Sequence, residues 1–219
     1  MANGTHFTIL LAGDCTVTAQ LKDAVGETRS IAADAGIQHA GPLGLVPELW
    51  VGDFDSVDSS IATRYANVPR TTYPTAKNMT DGEIAVRAAL ERGAERLTIV
   101  GAFGGPRIDH ALATITLALS LPRDVEVELT DGVQWGVPLD PLRPARIEGR
   151  TGITLSVVGF TDLHGLVLSG TRWPLTNADV PFGSSLTVSN EIDAGGVMEA
   201  TVGDGRALVI VTRSDAASL

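Results

Sequence analysis

Acidic residues recur in this chain where one segment turns into the next. Asp34 closes an apolar run, Asp53-Phe-Asp55 closes another, Asp81 opens a helical stretch, and Asp109 follows a glycine-rich turn. Carboxylates brought together from such distant stretches repel one another, and a bound divalent cation relieves that repulsion. Asp53 and Asp55, at i and i+2, can both approach one ion. Groups suited to phosphate lie close by in sequence. Gly104-Gly105 lets the backbone approach a ligand closely, and Arg107 offers a planar fork for phosphate oxygens. Lys77 and Thr80 stand just ahead of a helix start, where N–H groups and the helix dipole favour anions. Taken singly, each is an ordinary cap, turn or solvated side chain. Their joint occurrence at element ends points to metal-assisted phosphate chemistry.

The elements that must position these residues are legible in the first 130 residues. Phe7–Ala12, Arg29–Ala33, Glu48–Gly52, Arg96–Val100 and Val125–Leu129 read as buried strands, with a short extended piece at Thr71–Tyr73. Helical patterns alternate with them, at about 16–26, after the Thr80-Asp-Gly-Glu83 capping box up to Gly93, and from about Asp109 to Leu121. Alternation of this kind with continuous apolar strands indicates a parallel sheet covered on both faces, whose strand carboxyl ends share the ligand-binding edge. After Asp131 the texture changes. Pro138, Pro141 and Pro144 read as a linker, and from Ile153 onward the apolar period is two, at Leu155 and Val157, Leu166 and Leu168, Leu186 and Val188, and Val209 and Val211. Asp204-Gly205 is a hairpin signal. The expected fold is therefore α/β, a parallel-sheet nucleotide-binding domain over 1–131 followed by a smaller antiparallel β-domain over 132–219.

Composition bounds the partners. The 219 residues carry a formal charge of −10, which repels nucleic acid and anionic lipid and requires a divalent cation to reconcile the acidic edge with a phosphate ligand. There are two lysines against fourteen arginines, and Cys15 is the single cysteine, so neither a disulfide nor a cysteine zinc site is expected. No apolar run is long enough to span a membrane, and the first residues do not read as a signal peptide. A cytoplasmic protein is expected. The Walker loop and the GxGxxG fingerprint are both missing, which argues against P-loop kinase and dinucleotide chemistry.

These motifs resemble, in order and spacing, those of the bacterial thiamine pyrophosphokinase family. Ala33-Asp34-Ala35-Gly36 resembles its Ala-Asp-Gly-Gly, Gly52-Asp-Phe-Asp-Ser56 its most specific motif, and Tyr73-Pro-Thr-Ala-Lys77-Asn-Met-Thr-Asp81 its Tyr-Pro-x-x-Lys-Asp-x-Thr-Asp. Gly101-Ala-Phe-Gly-Gly-Pro-Arg-Ile-Asp-His110 resembles the family's glycine turn, and Thr171-Arg-Trp-Pro-Leu175 and Val188-Ser-Asn-Glu191 its late elements. Ala35, Asn78 and the additional Pro106 depart from the pattern.

The resemblance implies an α/β nucleotide-binding domain followed by a β-sandwich, a homodimer, and transfer of the pyrophosphoryl unit of ATP to the hydroxyethyl group of thiamine with release of AMP. It implies Mg²⁺ on Asp53, Asp55 and Asp81, with Asp34 and Asp109 as supporting groups or a base. ATP would meet Ser56, Lys77, Asn78, Thr80, Gly104, Gly105, Arg107 and His110. Thiamine would meet Trp173, Ser189 and Asn190. The same scaffold could serve another alcohol, such as a pterin, or bind a nucleotide without turnover. A mere binder has little need for so many carboxylates around a polyphosphate.

Overall fold

The computed structural model describes residues 5–54, 59–72 and 78–213. The chain divides into two compact units, Met1–Leu117 with Asp124–Gly132, and Ala118–Arg123 with Val133–Leu219.

The first unit runs β1 (His6–Leu10), α1 (Ala19–Val25), β2 (Arg29–Ala33), a 3-10 helix (Asp34–His39), α2 (Ala40–Leu43), β3 (Leu49–Gly52), α3 (Ser59–Arg64), β4 (Arg70–Thr72), α4 (Asp81–Glu91), β5 (Arg96–Val100), α5 (Ile108–Ser120) and β6 (Glu126–Thr130). Its six strands are parallel, in the order β4-β3-β2-β1-β5-β6. The apolar runs are explained by burial on both faces: Phe7, Ile9, Ile31, Trp50, Leu97, Ile99 and Leu129 are inaccessible to solvent. The order changes direction at β1, because the chain builds outward through β2, β3 and β4 and then returns to place β5 on the other side. A crevice forms at such a switch point, outside the carboxyl ends of the two diverging strands.

Helix starts follow their caps. Thr18 Oγ accepts the Leu21 N–H before α1, and Thr80 Oγ accepts the Glu83 N–H before α4. The expected capping box forms only in half, because the Glu83 carboxylate pairs with Arg87 one turn on. In α4, Ile84, Ala85, Val86, Ala88 and Ala89 form a buried face that packs on β1, β2 and β3.

The second unit contains β7 (Gln134–Leu139), β8 (Ala145–Glu148), β9 (Thr154–Gly159), β10 (Leu163–Ser169), β11 (Leu175–Val180), β12 (Asn190–Glu191), β13 (Val197–Thr201) and β14 (Ala207–Thr212). They make two antiparallel layers, β12-β9-β14-β7 and β11-β10-β13-β8. Period-two burial is clear along β8, where Ala145 and Ile147 are buried and Arg146 and Glu148 exposed.

Three expectations fail here. The prolines hide β7, in which Pro138 lies opposite Leu208; one missing donor need not end an antiparallel strand, since ladder bonds to a given partner use alternate residues. Asp204-Gly205 makes no hairpin, because β13 and β14 belong to different layers. Gly205 instead passes so close to the Asp162 carbonyl that a Cβ would stand 2.3 Å from it. Leu186 and Val188 belong to no strand and are exposed, whereas Thr187 between them is buried and donates its hydroxyl to the Val157 carbonyl.

Asp140 ties down the connection after β7. It is 2% exposed and accepts the Leu142 N–H and the Arg143 guanidinium, with Arg123 3.4 Å away. Burial pushes its pKa up, but the Leu142 N–H and the two guanidiniums outweigh that and leave it below the usual carboxylate value. A depressed folded pKa gives stability that is present above the unfolded value and lost as pH falls through the folded one. Asp140→Ala should cost about 3 kcal/mol by stranding Arg143. Unfolding measured from pH 7 to pH 3 should show the wild type converging on the variant below about pH 4.

Candidate active site at the edge of the parallel sheet

A pocket of about 450 Å³ opens outside the carboxyl ends of β1, β2 and β5. Its polar side chains are Asp34, Thr80, Asp81, Arg107, His110 and Thr114, and its backbone wall includes Gly13, Gly82, Gly101, Gly104 and Gly105. The volume lies in the usual range for small-molecule sites, roughly 300–1,000 Å³.

Asp34 is aimed by its neighbours. It enters the 3-10 helix with φ 46°, a left-handed conformation that aspartate tolerates better than bulkier residues. Its carbonyl accepts the indole N–H of buried Trp50 at 2.8 Å. Two residues past Asp34, a Cβ on Gly36 would stand 2.2 Å from the Leu10 carbonyl, so only glycine permits this approach of the helix to β1. Asp53 follows β3, is half-buried and is not among the pocket lining. Phe54 has φ 63° and stacks edge-on to Trp50 with ring centroids 4.9 Å apart, while the Arg70 guanidinium lies 4.5 Å from the Trp50 ring centre. Trp50 thus braces both acidic segments, a role that no local motif signals.

The glycine turn after β5 carries the opposite charge. Arg107 lies in the pocket but is held by Asp109 in a two-point pair, Nε to Oδ1 at 2.9 Å and the second guanidinium nitrogen to Oδ2 at 2.6 Å. Hydrogen bonding from Arg107 holds the Asp109 carboxyl down to about 2. Asp109 itself is exposed and does not line the pocket. Gly104 and Gly105 have φ 74° and 87°, and the Gly105 N–H is donated to Asp14, a residue absent from the expected site. His39 fixes the same region from the other side, its ring nitrogen 3.0 Å from the Gly13 carbonyl; burial lowers its pKa against the opposing effects of that carbonyl and of Asp14. Burial pushes the Cys15 thiol up to about 11, which leaves it unreactive.

Asn78 is exposed and outside the pocket lining, and Asp55, Ser56 and Lys77 lie outside the described residues. Among the described residues no three carboxylate, imidazole or thiol groups stand close enough to hold a metal by themselves. The donor chemistry nevertheless fits Mg²⁺, which commonly takes one or two carboxylates and completes its shell with water and substrate phosphate. Asp34 and Asp81 in the pocket are such a pair of hard donors.

Within the second unit, Trp173 is 52% exposed, and the Arg172 guanidinium sits 4.7 Å from its ring centre. The buried Asn190 amide clamps the Trp173 backbone, accepting its N–H at 3.2 Å and donating to its carbonyl at 2.8 Å. Ser189 is exposed with φ 62° and donates its N–H to the Ser156 hydroxyl.

Comparison with known proteins adds two family matches. "Thiamin pyrophosphokinase, catalytic domain" matches residues 25–129, and "Thiamin pyrophosphokinase, vitamin B1 binding domain" matches 142–204. The thiamine pyrophosphokinase of Bacillus subtilis (strain 168) is 30% identical over 167 residues, covering 74% of this chain and 77% of that protein. A crystal structure of thiamine pyrophosphokinase from Bacillus subtilis superposes with a TM-score of 0.83 at 27% identity, over 95% of this chain and 99% of the other. The fold is shared further afield. Thiamin pyrophosphokinase from Candida albicans gives a TM-score of 0.79 at 14% identity, over 96% of this chain and 90% of that one.

The pocket wall should tolerate no side chain at Gly13, where a Cβ would stand 2.2 Å from the Gly101 carbonyl. Gly13→Ala is expected to cost about 1–3 kcal/mol in denaturant unfolding through forced backbone displacement. Gly93→Ala, with nothing within 4 Å of the added carbon, should show only the strain of its positive φ.

Proposed function

The chain belongs to the thiamine pyrophosphokinase family and is an ATP:thiamine diphosphotransferase; we propose how its own residues carry that reaction. The supporting observation is the pocket at the β1/β5 switch point, which gathers Asp34, Thr80, Asp81 and Arg107 around a backbone wall of glycines.

The triphosphate lies along the glycine wall, with Arg107 as the cationic contact. Arg107 and Asp109 are both exposed, at 63% and 61%, so the fork can exchange its carboxylate for phosphate oxygens by local rotation. Asp34 and Asp81, together with Asp53 and Asp55 on the strength of their motif, would hold Mg²⁺; when bound, the ion offsets the charge of the phosphates and of the transition state. The thiamine hydroxyl attacks the β-phosphorus, the bond from that phosphorus to the bridging α,β-oxygen breaks, and AMP departs with the pair of electrons. Asp109 pairs with Arg107 and does not line the pocket, so it serves to orient Arg107 before the nucleotide binds. Asp34, inside the pocket, is the better acceptor for the hydroxyl proton. Lys77 and Ser56 keep phosphate roles on the strength of their motifs, with Thr80, Asn78 and His110 as lesser contacts.

For the acceptor, Trp173 supplies an aromatic platform in the second unit. Arg172 already brings positive charge to that ring, so the pyrimidine suits it better than the cationic thiazolium. The Asn190 amide is committed to the Trp173 backbone and acts by holding the platform, while Ser189 offers a hydroxyl. The exposed side chains of Trp173, Phe182, Leu186 and Val188 support a homodimer in which a second copy covers them. Among the described residues no helix is long and apolar enough to cross a membrane; with the acidic charge and single cysteine, this supports a cytoplasmic enzyme.

Purified protein given ATP, Mg²⁺ and thiamine should form AMP and thiamine diphosphate in equal amounts, resolved by chromatography. A hydroxymethyl pterin offered instead should give neither. Asp81→Asn and Asp53→Asn should each lower kcat by roughly 10²–10³, with melting temperature little changed. Undiminished turnover in both variants would remove the metal assignment.

A further inference from the structure

The glycine turn that forms one wall of the pocket is held from outside the pocket. Asp14 follows β1 by four residues and its side chain is exposed. Its Oδ2 accepts the Gly105 N–H at 2.8 Å. The same oxygen lies 3.2 Å from where a Cβ on Gly104 would stand, and the Gly13 Cα lies 3.3 Å from the corresponding point on Gly105. Residues 13–14 and 104–105 therefore pack backbone against backbone across the switch point, joined by a hydrogen bond to a charged acceptor. Gly13, Gly104 and Gly105 line the pocket whereas Asp14 does not. The Gly105 N–H is thus aimed at the carboxylate behind the turn and is not offered to a phosphate, contrary to what the sequence motif alone suggests.

We infer that Asp14 is a positioning residue for the nucleotide. By fixing the Gly105 amide from behind, it sets the left-handed pair Gly104-Gly105 and so the place from which Pro106 and Arg107 enter the pocket. The inference rests on the functional reading above, because it takes the glycine turn and Arg107 to be the triphosphate wall. Had Asp14 stood inside the pocket, its charge would compete with phosphate. Placed behind the wall, it can act on phosphate binding only through the turn. The hydrogen bond needs an acceptor oxygen and not a full charge, so an amide can replace the carboxylate.

The test compares Asp14→Asn, which keeps an acceptor oxygen, with Asp14→Leu, which keeps size and removes it. Asp14→Leu should raise the KM for ATP about tenfold, the lower end for a hydrogen bond to a charged group at an exposed site. Its KM for thiamine and its melting temperature should stay close to wild type, and Asp14→Asn should lie within about twofold of wild type in all three. In the nucleotide-free protein, the Gly105 amide proton resonance should keep its position and slow exchange in the Asn variant and lose both in the Leu variant. Unchanged KM for ATP and unchanged Gly105 exchange in Asp14→Leu would overturn the inference. So would tighter ATP binding in either variant, the signature of a carboxylate that had been competing with phosphate. Equal losses in both variants would also overturn it, since charge and not hydrogen bonding would then be what matters. A wild type that forms no AMP would count against the functional reading alone, because the Gly105 resonance reports on Asp14 without turnover.

Discussion

Two carboxylates, Asp34 and Asp81, share one pocket at the sheet edge, and their mutual repulsion is the constraint that the proposed metal site answers. A parallel sheet delivers the ends of β1, β2, β3 and β5 to a common rim, so residues far apart in sequence converge without long loops. Asp34 reaches the pocket by this route from the end of β2, Asp81 enters it from the start of α4, and Asp53 follows β3 outside the lining. An anionic polyphosphate entering such a rim meets repulsion that a divalent ion would relieve, and among the described lining residues Arg107, itself held by Asp109, does not reverse the local sign. The overall charge of −10 makes the same demand at longer range.

The second constraint is closeness of backbone. At Gly13, Gly36 and Gly101 an added Cβ would lie 2.2–2.6 Å from a main-chain carbonyl oxygen. The wall is therefore set by main-chain contact, and a small number of side chains tension it from outside. Trp50 holds the Asp34 carbonyl and stacks on Phe54, His39 holds the Gly13 carbonyl, and Asp14 holds the Gly105 amide. Phe54 and Asp34, both with positive φ, sit where this bracing is densest. Strain of that kind persists when surrounding packing fixes the conformation, and it concentrates at sites that bind or react.

Much of this was legible in the sequence because it rests on local rules. Continuous apolar runs gave the buried parallel strands, Thr18 and Thr80 are residue types that cap helices, and the acidic motifs stand at strand ends where ligands bind. What escaped depends on long-range contact. Asp14 reads as an ordinary loop residue until the chain ninety-one residues on folds against it. Trp50 reads as core, and it is buried, yet its one polar atom orients a pocket carboxylate. In the second unit, alternation alone misjudged Leu186 and Val188, because period two marks a strand only if its apolar face is covered, and there Thr187 turns inward. Pro138 and Asp204-Gly205 misled for a related reason. Turn residues signal a change of direction, and the layer that receives the next strand is chosen by packing.

The acidic rim is expected to bind the triphosphate only through a divalent cation. Titration calorimetry with α,β-methylene ATP, a nucleotide whose α,β bridge does not break, tests it without turnover. In excess Mg²⁺ the account predicts saturable one-to-one binding that weakens by at least tenfold when a chelator removes the ion. Binding of equal strength with and without Mg²⁺ would contradict it.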